Sequence, residues 1–476
     1  MAAQLRFCTE VRGMSCIDTH TWAKVMFENC ELGDQRRTKR LVNVAEKVAV
    51  NPSASFPDQL ETWGDLKALY RLLDAEEVTF TDIATPHWRR TRCLARGRTL
   101  VICDTTELDF GCQRQIEGVG PTGNGSGRGF LLHNAVMVNA ETKSILGVAG
   151  QAIHYRPEKA FNKQGELRST SLKRKRESEV WGDVIDQIGP PAEGVEFVYL
   201  CDRGADNFEV FWHLQQQKSQ WVIRAKDLNR LLVTSNGQHI PLSEVLDQLI
   251  PLGTYDLKLR ARPNQPARTA KIEVSSGRAT MPVPGRKSPW LKSQTPQPIT
   301  MNIVRVREVD SPKGVVPIEW VLYTSLPVDT FEDVWKVIEY YEARWLVEEY
   351  HKALKTGTSV TRRQLENASR LEAMVGLMSV VAVRLLQLKT LARTEPDRPA
   401  RTVVPQLWLQ MLKAVRKKLR RVHDLTIYEF YRELAKLGGF LGRKSDGEPG
   451  WLTIWRGWEK LNTMVRGAEL ALQFRA

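Results

Sequence analysis

The chain has 476 residues, enough for two to four domains with a large core. A hydrophobic content of 42% is ordinary for a soluble globular protein, but the formal net charge of +14 and the pI near 9.4 indicate a polyanionic partner. Nucleic acid is favoured over a membrane surface because no long basic amphipathic segment is evident. The longest apolar run, residues 374–388, is too short and too polar to span a bilayer, and residues 1–16 lack the apolar centre of a secretory signal.

The cysteines argue against a secreted or zinc-binding protein. Their number is odd, they are scattered and they form no CxxC pair, which predicts reduced thiols in a cytoplasmic protein without a disulfide framework. They are Cys8, Cys16, Cys30, Cys93, Cys103, Cys112 and Cys201.

The first 95 residues predict a helical region. Apolar residues recur at helical spacing in residues 22–29, 34–48 and 62–73. A solvated charged face would explain the basic residues of these helices, but in so basic a chain we interpret residues 1–95 as a DNA-binding helical domain. The basic faces comprise Arg36, Arg37, Lys39 and Arg40 on the second helix, and Lys67 and Arg71 on the third.

A set of strands follows. Residues 99–110, TLVICDTTELDF, form a buried-strand pattern that ends in polar residues. The glycine-rich stretch 118–129 lacks the GK[ST] of a P-loop and predicts a hairpin turn or flexible loop. Residues 130–139 and 144–156 alternate as two further strands, so we expect a meander of three.

The chain then alternates between helix and strand. A polar connector with the basic run 173–176 leads to a predicted helix at 177–188. The strand pattern VYLC ends at Asp202 and precedes a helix at 207–217, and WVIRAK is a further strand. Short alternating runs broken by Gly and Pro predict a β-rich region at 228–316.

A charged amphipathic helix of about seven turns is predicted at 330–357, ending on a left-handed glycine cap at Gly357. A salt-bridged surface helix would explain its charges equally well. One face carries, in order, Val334, Ile338, Tyr341, Trp345, Glu348, Lys352 and Lys355, with Arg344 beside it.

The remaining chain predicts helices at 364–389, 407–422 and 427–437 and a tryptophan-bearing tail. The basic run 413–421, KAVRKKLRR, is either a phosphate-contacting segment or a solvated face.

Three acidic residues are the candidates for chemistry. Asp104 and Asp202 each follow an apolar strand, so both are expected at the carboxyl ends of strands, where α/β sheets place their sites. With Glu348 on the charged helix, the order of elements is the layout of ribonuclease-H-like nucleases. Three carboxylates suit Mg²⁺, and a pair of such ions promotes in-line displacement at a phosphate. Three basic side chains would face that phosphate: Arg344, Lys352 and Lys355.

A family resemblance is carried by the charged helix. Tyr341, Arg344, Glu348 and Lys355 match the Y-x2-R-x3-E-x6-K motif of bacterial cut-and-paste transposases. Further likeness lies in WAKVMFENCELGDQRRTKRLVNVA, CDTTELDF, VYLCDRGAD, VIRAK, EWVLYTS, RWLVEEYHKALKTG, SVVAVRLLQL and LGGFLGRK through WRGWEKL. The chain therefore resembles the DDE transposases of the IS-four insertion-sequence family, and the likeness touches nearly every segment.

The resemblance implies an α/β fold with a ribonuclease-H-like core, an inserted β-rich subdomain, and flanking N-terminal and C-terminal helical domains. The divisions are 1–95 for DNA binding, 96–227 and 320–392 for the two parts of the core, 228–319 for the insertion and 393–476 for dimerisation.

The resemblance also assigns site residues. Asp104, Asp202 and Glu348 become catalytic ligands for two Mg²⁺ ions per site, with Mn²⁺ as a substitute. Trp320 would hold a flipped base during hairpin formation, although it could equally be a β-core residue. The DNA contacts implied near the cleaved phosphate are Tyr341, Arg344, Lys352, Lys355 and, as a further carry-over, Arg224.

The implied function is a DNA transposase that cleaves transposon ends through a hairpin and joins them to target DNA. It would act as a homodimer in a synaptic complex, in the bacterial cytoplasm with the nucleoid and without a membrane. Two alternatives stay open: an inactive transposase-derived DNA-binding protein, and a structure-selective nuclease without strand transfer. The likeness begins only around residues 14–22, so residues 1–13 are interpreted as an extension, with Met14 as the alternative start to Met1.

Overall fold

The computed structural model describes residues 19–60, 62–113, 115–157, 176–259, 261, 266–443 and 446–473. The predictions about the start at Met1 or Met14, about Cys8 and Cys16, and about residues 173–175 of the basic run lie outside these ranges. None of the five cysteines in the described ranges forms a disulfide bond.

Helices form the N-terminal part of the described chain. They are α1 (Thr19–Phe27), α2 (Gln35–Val50), α3 (Phe56–Gln59), α4 (Trp63–Leu73) and α5 (Phe80–Leu94). Side chains at the N-caps satisfy free backbone N–H groups at the start of α2, α3, α4 and α5. The three helices predicted from periodicity are confirmed; α3 and α5 were not predicted individually.

Twelve strands of the described chain join in one sheet. The strands before the insertion are β1 (Gly97–Asp109), β2 (Gly120–Thr122), β3 (Gly127–Asn139), β4 (Ile145–His154), β5 (Val195–Cys201) and β6 (Gln220–Arg224). The later ones are β7 (Leu231–Val233), β8 (His239–Pro241), β9 (Ile250–Leu259), β10 (Arg268–Met281), β11 (Ile299–Val309) and β12 (Glu319–Thr324).

Strand order places β1 between an antiparallel and a parallel neighbour. β3 pairs antiparallel with β1 and with β4, which confirms the predicted meander. On its other side β1 pairs parallel with β5, and β5 pairs parallel with β6. The glycine-rich stretch forms the β2–β3 hairpin, with Gly123 and Gly125 at positive φ as its turn requires.

The β-rich region is continuous with this sheet. β12 pairs with β6 on one side and with β11 on the other, and β10 and β9 extend the sheet beyond β11. Short helices interrupt or flank the strands: α6 (Glu179–Ile188), α7 (Phe208–Gln216), α8 (Leu242–Asp247) and α9 (Pro289–Ser293).

The predicted seven-turn helix is wrong in one respect, because it is divided into α10 (Phe331–Glu342) and α11 (Trp345–Lys352). At the junction Arg344 N–H donates to the Tyr341 carbonyl, three residues back instead of four, which is the hydrogen bond of a tighter 3₁₀ turn. Trp345, which was predicted to continue the apolar stripe, is 54% exposed.

The end of this helical region also differs from the prediction. A π-turn, Ala353–Gly357, follows α11, and the left-handed residue is Ser359 (φ 49°) instead of Gly357. Gly357 packs closely, since an added Cβ would lie 2.9 Å from Leu385 Cδ1. Its glycine identity therefore serves close packing.

The C-terminal part contains α12 (Ala368–Thr394), α13 (Gln406–Val415), α14 (Ile427–Leu437) and α15 (Trp451–Gln473). The helix predicted at 407–422 is too long, because Arg416 leaves helical geometry (φ −105°, ψ 88°) and pairs with Glu433. Most of the basic run 413–421 therefore lies beyond α13.

Helix α12 is long and apolar enough, by length and composition, to cross a membrane, although the sequence had predicted no such segment. However, 78% of its most apolar window is buried inside the protein. It packs against α5, β4, the π-turn and α14, as the central helix of a folded core does.

Candidate active site

The site begins where two neighbouring parallel strands present acidic side chains. Cys103 on β1 is opposite Cys201 on β5, so Asp104 and Asp202 occupy the next position along each chain segment. Asp202 directly follows β5, as predicted, and its Oδ1 accepts a hydrogen bond from the Gly204 N–H at 2.8 Å. The prediction that Asp104 also lies at the carboxyl end of its strand is wrong, because β1 continues to Asp109 in its pairing with β3. The parallel register of β1 and β5 nevertheless places the two acids next to each other.

Glu348 reaches the same place from the first turn of α11. An open pocket with a volume of about 400 Å³ brings the three acids together with basic residues. Its lining consists of Asp104, Thr105, Thr106, Asp202, Arg344, Glu348, His351, Lys352, Lys355 and Thr356.

Arg344 connects two of the acids. Its Nη1 lies 3.1 Å from Oδ2 of Asp104, and its Nη2 lies 3.5 Å from Oε1 of Glu348. Burial alone would lower the pKa of Arg344, but Tyr341 and the two carboxylates raise it. The guanidinium is therefore a permanent positive charge against the acidic pair.

Burial and the neighbouring Asp202 carboxylate raise the pKa of Asp104 to about 6. The Thr105 N–H and Arg344 oppose this shift. Two carboxylates that disfavour each other's charge fit a site that a cation would stabilise.

Lys352 and Lys355 line the pocket without contacting the three acids through any hydrogen bond described in the structure. Nζ of Lys352 lies 3.3 Å from Glu349 and 4.2 Å from the centre of the Trp345 ring. Lys355 lies in the π-turn, where burial lowers its pKa while Glu107 and Glu348 oppose that shift. Both amines are placed to meet an anion entering from solvent.

Tyr341, Trp320 and Arg224 form a second group. The Trp320 ring packs edge-on against Tyr341, with 5.3 Å between ring centres, and Trp320 is only partly exposed. Arg224 Nη2 donates to the Glu319 carbonyl at 3.1 Å, and burial lowers its pKa. The pocket described above is not lined by these three residues.

The basic side chains predicted on the N-terminal helices do not line the acidic pocket. Lys67 and Arg71 lie on α4, and the other four lie on α2: Arg36, Arg37, Lys39 and Arg40. Arg37 pairs with Glu77 at 2.9 Å, and Arg40 pairs with Asp65 at 2.7 Å. Arg36 pairs with Asp34 at 3.2 Å, but 91% of its side chain is exposed, so it is the most accessible of these three arginines to a phosphate.

Sequence reasoning missed His351 and the three threonines of the pocket. A ring nitrogen of His351 and one carboxylate oxygen each from Asp104 and Glu348 all lie within 4.8 Å of one another. The spacing of three residues from Glu348 placed His351 on the same helix face, a signal that could have found it. Burial lowers its pKa to about 3, so the imidazole is neutral.

Comparison with known protein families identifies three successive segments. Residues 19–78 match the family described as transposase DNA-binding, and residues 167–384 match the transposase DDE domain. Residues 380–475 match the transposase Tn5 dimerisation domain. The DDE match contains Asp202 and Glu348, while Asp104 precedes it. With a DNA-binding, a DDE and a dimerisation segment in this order, the chain belongs to the Tn5-like DDE transposases of the IS-four family.

Proposed function

We propose that this transposase binds the ends of its own element, cleaves them by phosphoryl transfer through a hairpin, and joins the 3′-hydroxyl ends to target DNA. The observation that carries the proposal is the convergence of Asp104, Asp202 and Glu348, from three separate elements, on a pocket that also holds Arg344 and Lys355. The carboxylates suit a cation and the neighbouring basic side chains suit a phosphodiester, so the pocket can bind both at the same place.

The donor set of the pocket fits a divalent metal. Its carboxylates are hard oxygen ligands, and the raised pKa of Asp104 reflects first its burial and then the like charge of Asp202 close by. We infer that Asp104, Asp202 and Glu348 hold Mg²⁺, two ions per site, with Mn²⁺ as a substitute. Bound there, the cations would lower the pKa of an attacking water or hydroxyl and stabilise the leaving oxygen.

Each step forms one P–O bond at a phosphorus and breaks another. Water attacks the phosphorus at the end of the element, the P–O3′ bond breaks, and a 3′-hydroxyl and a 5′-phosphate result. That hydroxyl attacks a phosphorus of the opposite strand, whose P–O3′ bond breaks, so a hairpin closes and the flanking DNA leaves with a 3′-hydroxyl. A second water opens the hairpin at the new P–O3′ bond, and the regenerated 3′-hydroxyl attacks a phosphorus of the target, whose P–O3′ bond breaks to leave a 3′-hydroxyl on the target. In each step the proton lost by the attacking oxygen is balanced by a proton gained by the leaving oxygen. Water is the only co-reactant, and no step needs an oxidant or an external energy source.

The basic residues would position DNA for these steps. Arg344 and Lys355 are placed to bind oxygens of the cleaved phosphate, and Lys352 is placed at the solvent side of the pocket. A guanidinium that already bridges two carboxylates can move between them and a phosphate, since both accept paired N–H donors. Tyr341 and Arg224 would bind the backbone beside the pocket.

Trp320 is proposed to stack on a base extruded from the duplex while the hairpin forms. Its partial exposure and its edge-on support from Tyr341 suit this role, because a stacking platform needs an accessible surface and a fixed orientation. Replacement of Trp320 by Ala is expected to spare the first nick and to impair hairpin closure.

The same proposal assigns the larger parts of the chain. The strand order β4-β3-β1-β5-β6, with β5 and β6 parallel to β1, supports a ribonuclease-H-like core. We propose residues 96–227 and 320–392 as that core, 228–319 as the insertion, 1–95 as the end-binding domain and 393–476 as the dimerisation domain. Exposed basic side chains on α2, among them that of Arg36, would contact the DNA of the transposon ends.

The assembled form is proposed to be a homodimer that pairs two transposon ends in a synaptic complex before cleavage. We place it in the bacterial cytoplasm, associated with the nucleoid, because its substrates are the element's ends and the target DNA.

The decisive experiment begins with the DNA that flanks the gene. Inverted terminal repeats found there would be cloned into a supercoiled plasmid and incubated with the full-length protein and Mg²⁺. We expect nicking at the repeat ends, then hairpins, then insertion of precut ends into a second plasmid. Asp202→Ala is expected to abolish cleavage and to leave end binding in a gel-shift assay intact.

Asp227→Ala is the matched control. Asp227 also follows a strand and accepts a backbone hydrogen bond from the residue two positions on, Asn229, but it is exposed and lies outside the pocket. End binding without nicking by the unmodified protein would favour the inactive DNA-binding alternative. Nicking without insertion of precut ends would favour a structure-selective nuclease.

A further inference from the structure

A chain of buried amide side chains ends at His351, behind the acidic pocket. Its members are Trp88 on α5, Gln151 on β4 and Asn134 on β3, and each is at most 2% exposed. Asn134 is the cross-strand partner of Asp104 in the β1–β3 pair. The chain therefore connects the interior of the protein to the wall of the site.

The orientation of both side-chain amides in this chain follows from two neighbouring groups, one of which can only donate a hydrogen bond and the other only accept one. The indole Nε1–H of Trp88 can only donate, and it lies 3.1 Å from Oε1 of Gln151. Gln151 must then present its amide nitrogen to Oδ1 of Asn134, at 2.6 Å. Reversing Gln151 would set two N–H donors against each other.

The second of these groups, the backbone carbonyl of Leu132, fixes the orientation of the Asn134 amide. Its Nδ2 lies 3.0 Å from the Leu132 carbonyl oxygen, which can only accept. The same Nδ2 lies 3.2 Å from Nε2 of His351. Reversing Asn134 would place an oxygen against a carbonyl and a nitrogen against the Gln151 amide, so both ends of the chain require the same arrangement.

This arrangement determines which ring nitrogen of His351 carries the proton. Because Asn134 donates to it, Nε2 of His351 must carry a lone pair and no proton, and the proton of the neutral ring must lie on Nδ1. One ring nitrogen is therefore occupied by a hydrogen bond and the other by a proton. Neither offers a lone pair to a metal, although a ring nitrogen lies within 4.8 Å of the Asp104 and Glu348 oxygens.

We propose that Asn134 is a specificity-determining residue of the cation site, which acts by excluding His351 from the ligand set. The site is left with carboxylate oxygens, which favour the hard cations Mg²⁺ and Mn²⁺ over Zn²⁺, for which imidazole is a good ligand. This inference rests on the proposed metal-dependent function. The tautomer of His351 can nevertheless be measured without any metal or DNA.

The first measurement is NMR on full-length protein labelled with ¹⁵N-histidine, which contains eight histidines. The His351 signals are assigned by their loss in His351→Gln. We expect a protonated Nδ1 and an unprotonated Nε2 at neutral pH. In Asn134→Asp the new carboxylate can only accept, so Nε2 should gain a proton. An unmodified protein with Nε2 protonated would overturn the proposal.

The second measurement is pulsed electron paramagnetic resonance with Mn²⁺ as the probe. We expect no nitrogen coupling to Mn²⁺ in the unmodified protein. Asn134→Leu frees Nε2 and should introduce a nitrogen coupling, and it should shift the Zn²⁺-to-Mn²⁺ affinity ratio by about tenfold or more toward Zn²⁺, as changes behind a metal ligand typically do.

A nitrogen coupling in the unmodified protein that disappears in His351→Gln would overturn the proposal, whether or not Asn134→Leu folds. If no Mn²⁺ binds at all, the proposed metal-dependent function fails instead, and the NMR result still decides the tautomer.

Discussion

The guanidinium of Arg344 donates a hydrogen bond to the carboxylate of Asp104, with 3.1 Å between Nη1 and Oδ2. The same guanidinium reaches Glu348, so without a metal it supplies the positive charge that the acidic pocket needs. A cation arriving at these carboxylates has to compete with it. This competition makes the occupancy of the site dependent on one arginine.

Replacing Arg344 by Met is expected to raise the affinity for Mn²⁺ several-fold and to lower DNA cleavage at least tenfold. The affinity rises because a competing positive charge is removed from the acids, and cleavage falls because a phosphate ligand is lost. Calorimetric titration with Mn²⁺ and a nicking assay measure the two effects. Lys352→Met is the control for the Mn²⁺ titration only, since Lys352 lines the same pocket but its hydrogen bond goes to Glu349 and not to the three acids. Weaker Mn²⁺ binding by Arg344→Met would contradict the competition.

The raised pKa of Asp104, about 6, predicts an unusual pH dependence of metal binding. Below pH 6 a proton occupies Asp104 and must leave before a cation binds, so the affinity for Mn²⁺ should fall by roughly tenfold per pH unit. An ordinary aspartate would show this loss only near pH 4. Titration at pH 5, 6, 7 and 8 tests the prediction. Equal affinities at pH 5 and pH 8 would show that Asp104 is not a ligand or is not shifted.

The same pKa predicts that Asp104→Asn stabilises the metal-free protein. The folded-state pKa of about 6 exceeds the ordinary value of 3.8, so the folded state binds more protons and stability falls as the pH rises through this window. Above pH 6 the cost of the buried charge is on the order of 2 to 3 kcal/mol. Urea unfolding at pH 8 should show a gain of this order, and the gain should vanish near pH 4. A loss of stability at pH 8 would contradict the shift.

Glu349, next to Glu348, lies in a buried ion pair with Lys389 of α12, and Trp451 Nε1 of α15 donates to it at 2.5 Å. Glu349→Gln leaves the buried Lys389 without its carboxylate partner, and Lys389→Met leaves Glu349 with only the half-exposed Lys352 as a cationic partner, so each should cost about 3 kcal/mol of unfolding free energy. The double variant should lose much less than the sum, and urea unfolding of all four proteins measures this coupling.

Lys352→Met provides a comparison for the same carboxylate. Lys352 contacts Glu349 at 3.3 Å, but 45% of its side chain is exposed, so its loss should cost less than about 1 kcal/mol. Additive effects of the Glu349 and Lys389 variants would mean that the two charges are solvated and act independently.

Arg363 connects the N-terminal helical region to the segment after the π-turn through hydrogen bonds. Its buried guanidinium donates to the carbonyls of Pro52, Ala54 and Thr358. Arg363→Met should leave several acceptors unpaired, which costs about 2 to 4 kcal/mol, and should speed hydrogen exchange in residues 51–60. Arg362→Met is the control because Arg362 is exposed. Unchanged exchange in residues 51–60 would show that other contacts hold the two parts together.

The three acids could be foreseen from sequence because each depends on a local pattern. Asp104 and Asp202 each follow a run of apolar residues, and the parallel register of β1 and β5 places them next to each other. That β1 continues beyond Asp104 to Asp109 was not predicted. Glu348 was reached through helical spacing and a family motif. The break in the helix before Trp345 could not be foreseen, because it depends on backbone hydrogen bonds at Arg344 that no side-chain periodicity encodes.

The support behind the site was also beyond sequence reasoning. Gln151 and Asn134 are unremarkable polar residues within apolar strands, and their roles appear only when Trp88 and His351 arrive from distant segments. Likewise, the β-rich insertion was predicted by composition, but its continuity with the core through β12 depends on strand pairing across more than 90 residues.

Helix α12 has a consequence for dividing this protein into fragments. The DDE and dimerisation matches meet at residues 380–384, in the middle of the helix. The helix contacts α5 of the N-terminal region, β4 of the sheet and α14 of the C-terminal region. A truncation between the DDE and dimerisation matches would cut α12, which packs against all three regions. It would expose the apolar side chains of the helix to water. An isolated nuclease fragment therefore has to extend past Thr394. Even then, the apolar surface that α14 covers in the full chain would be exposed and would favour aggregation.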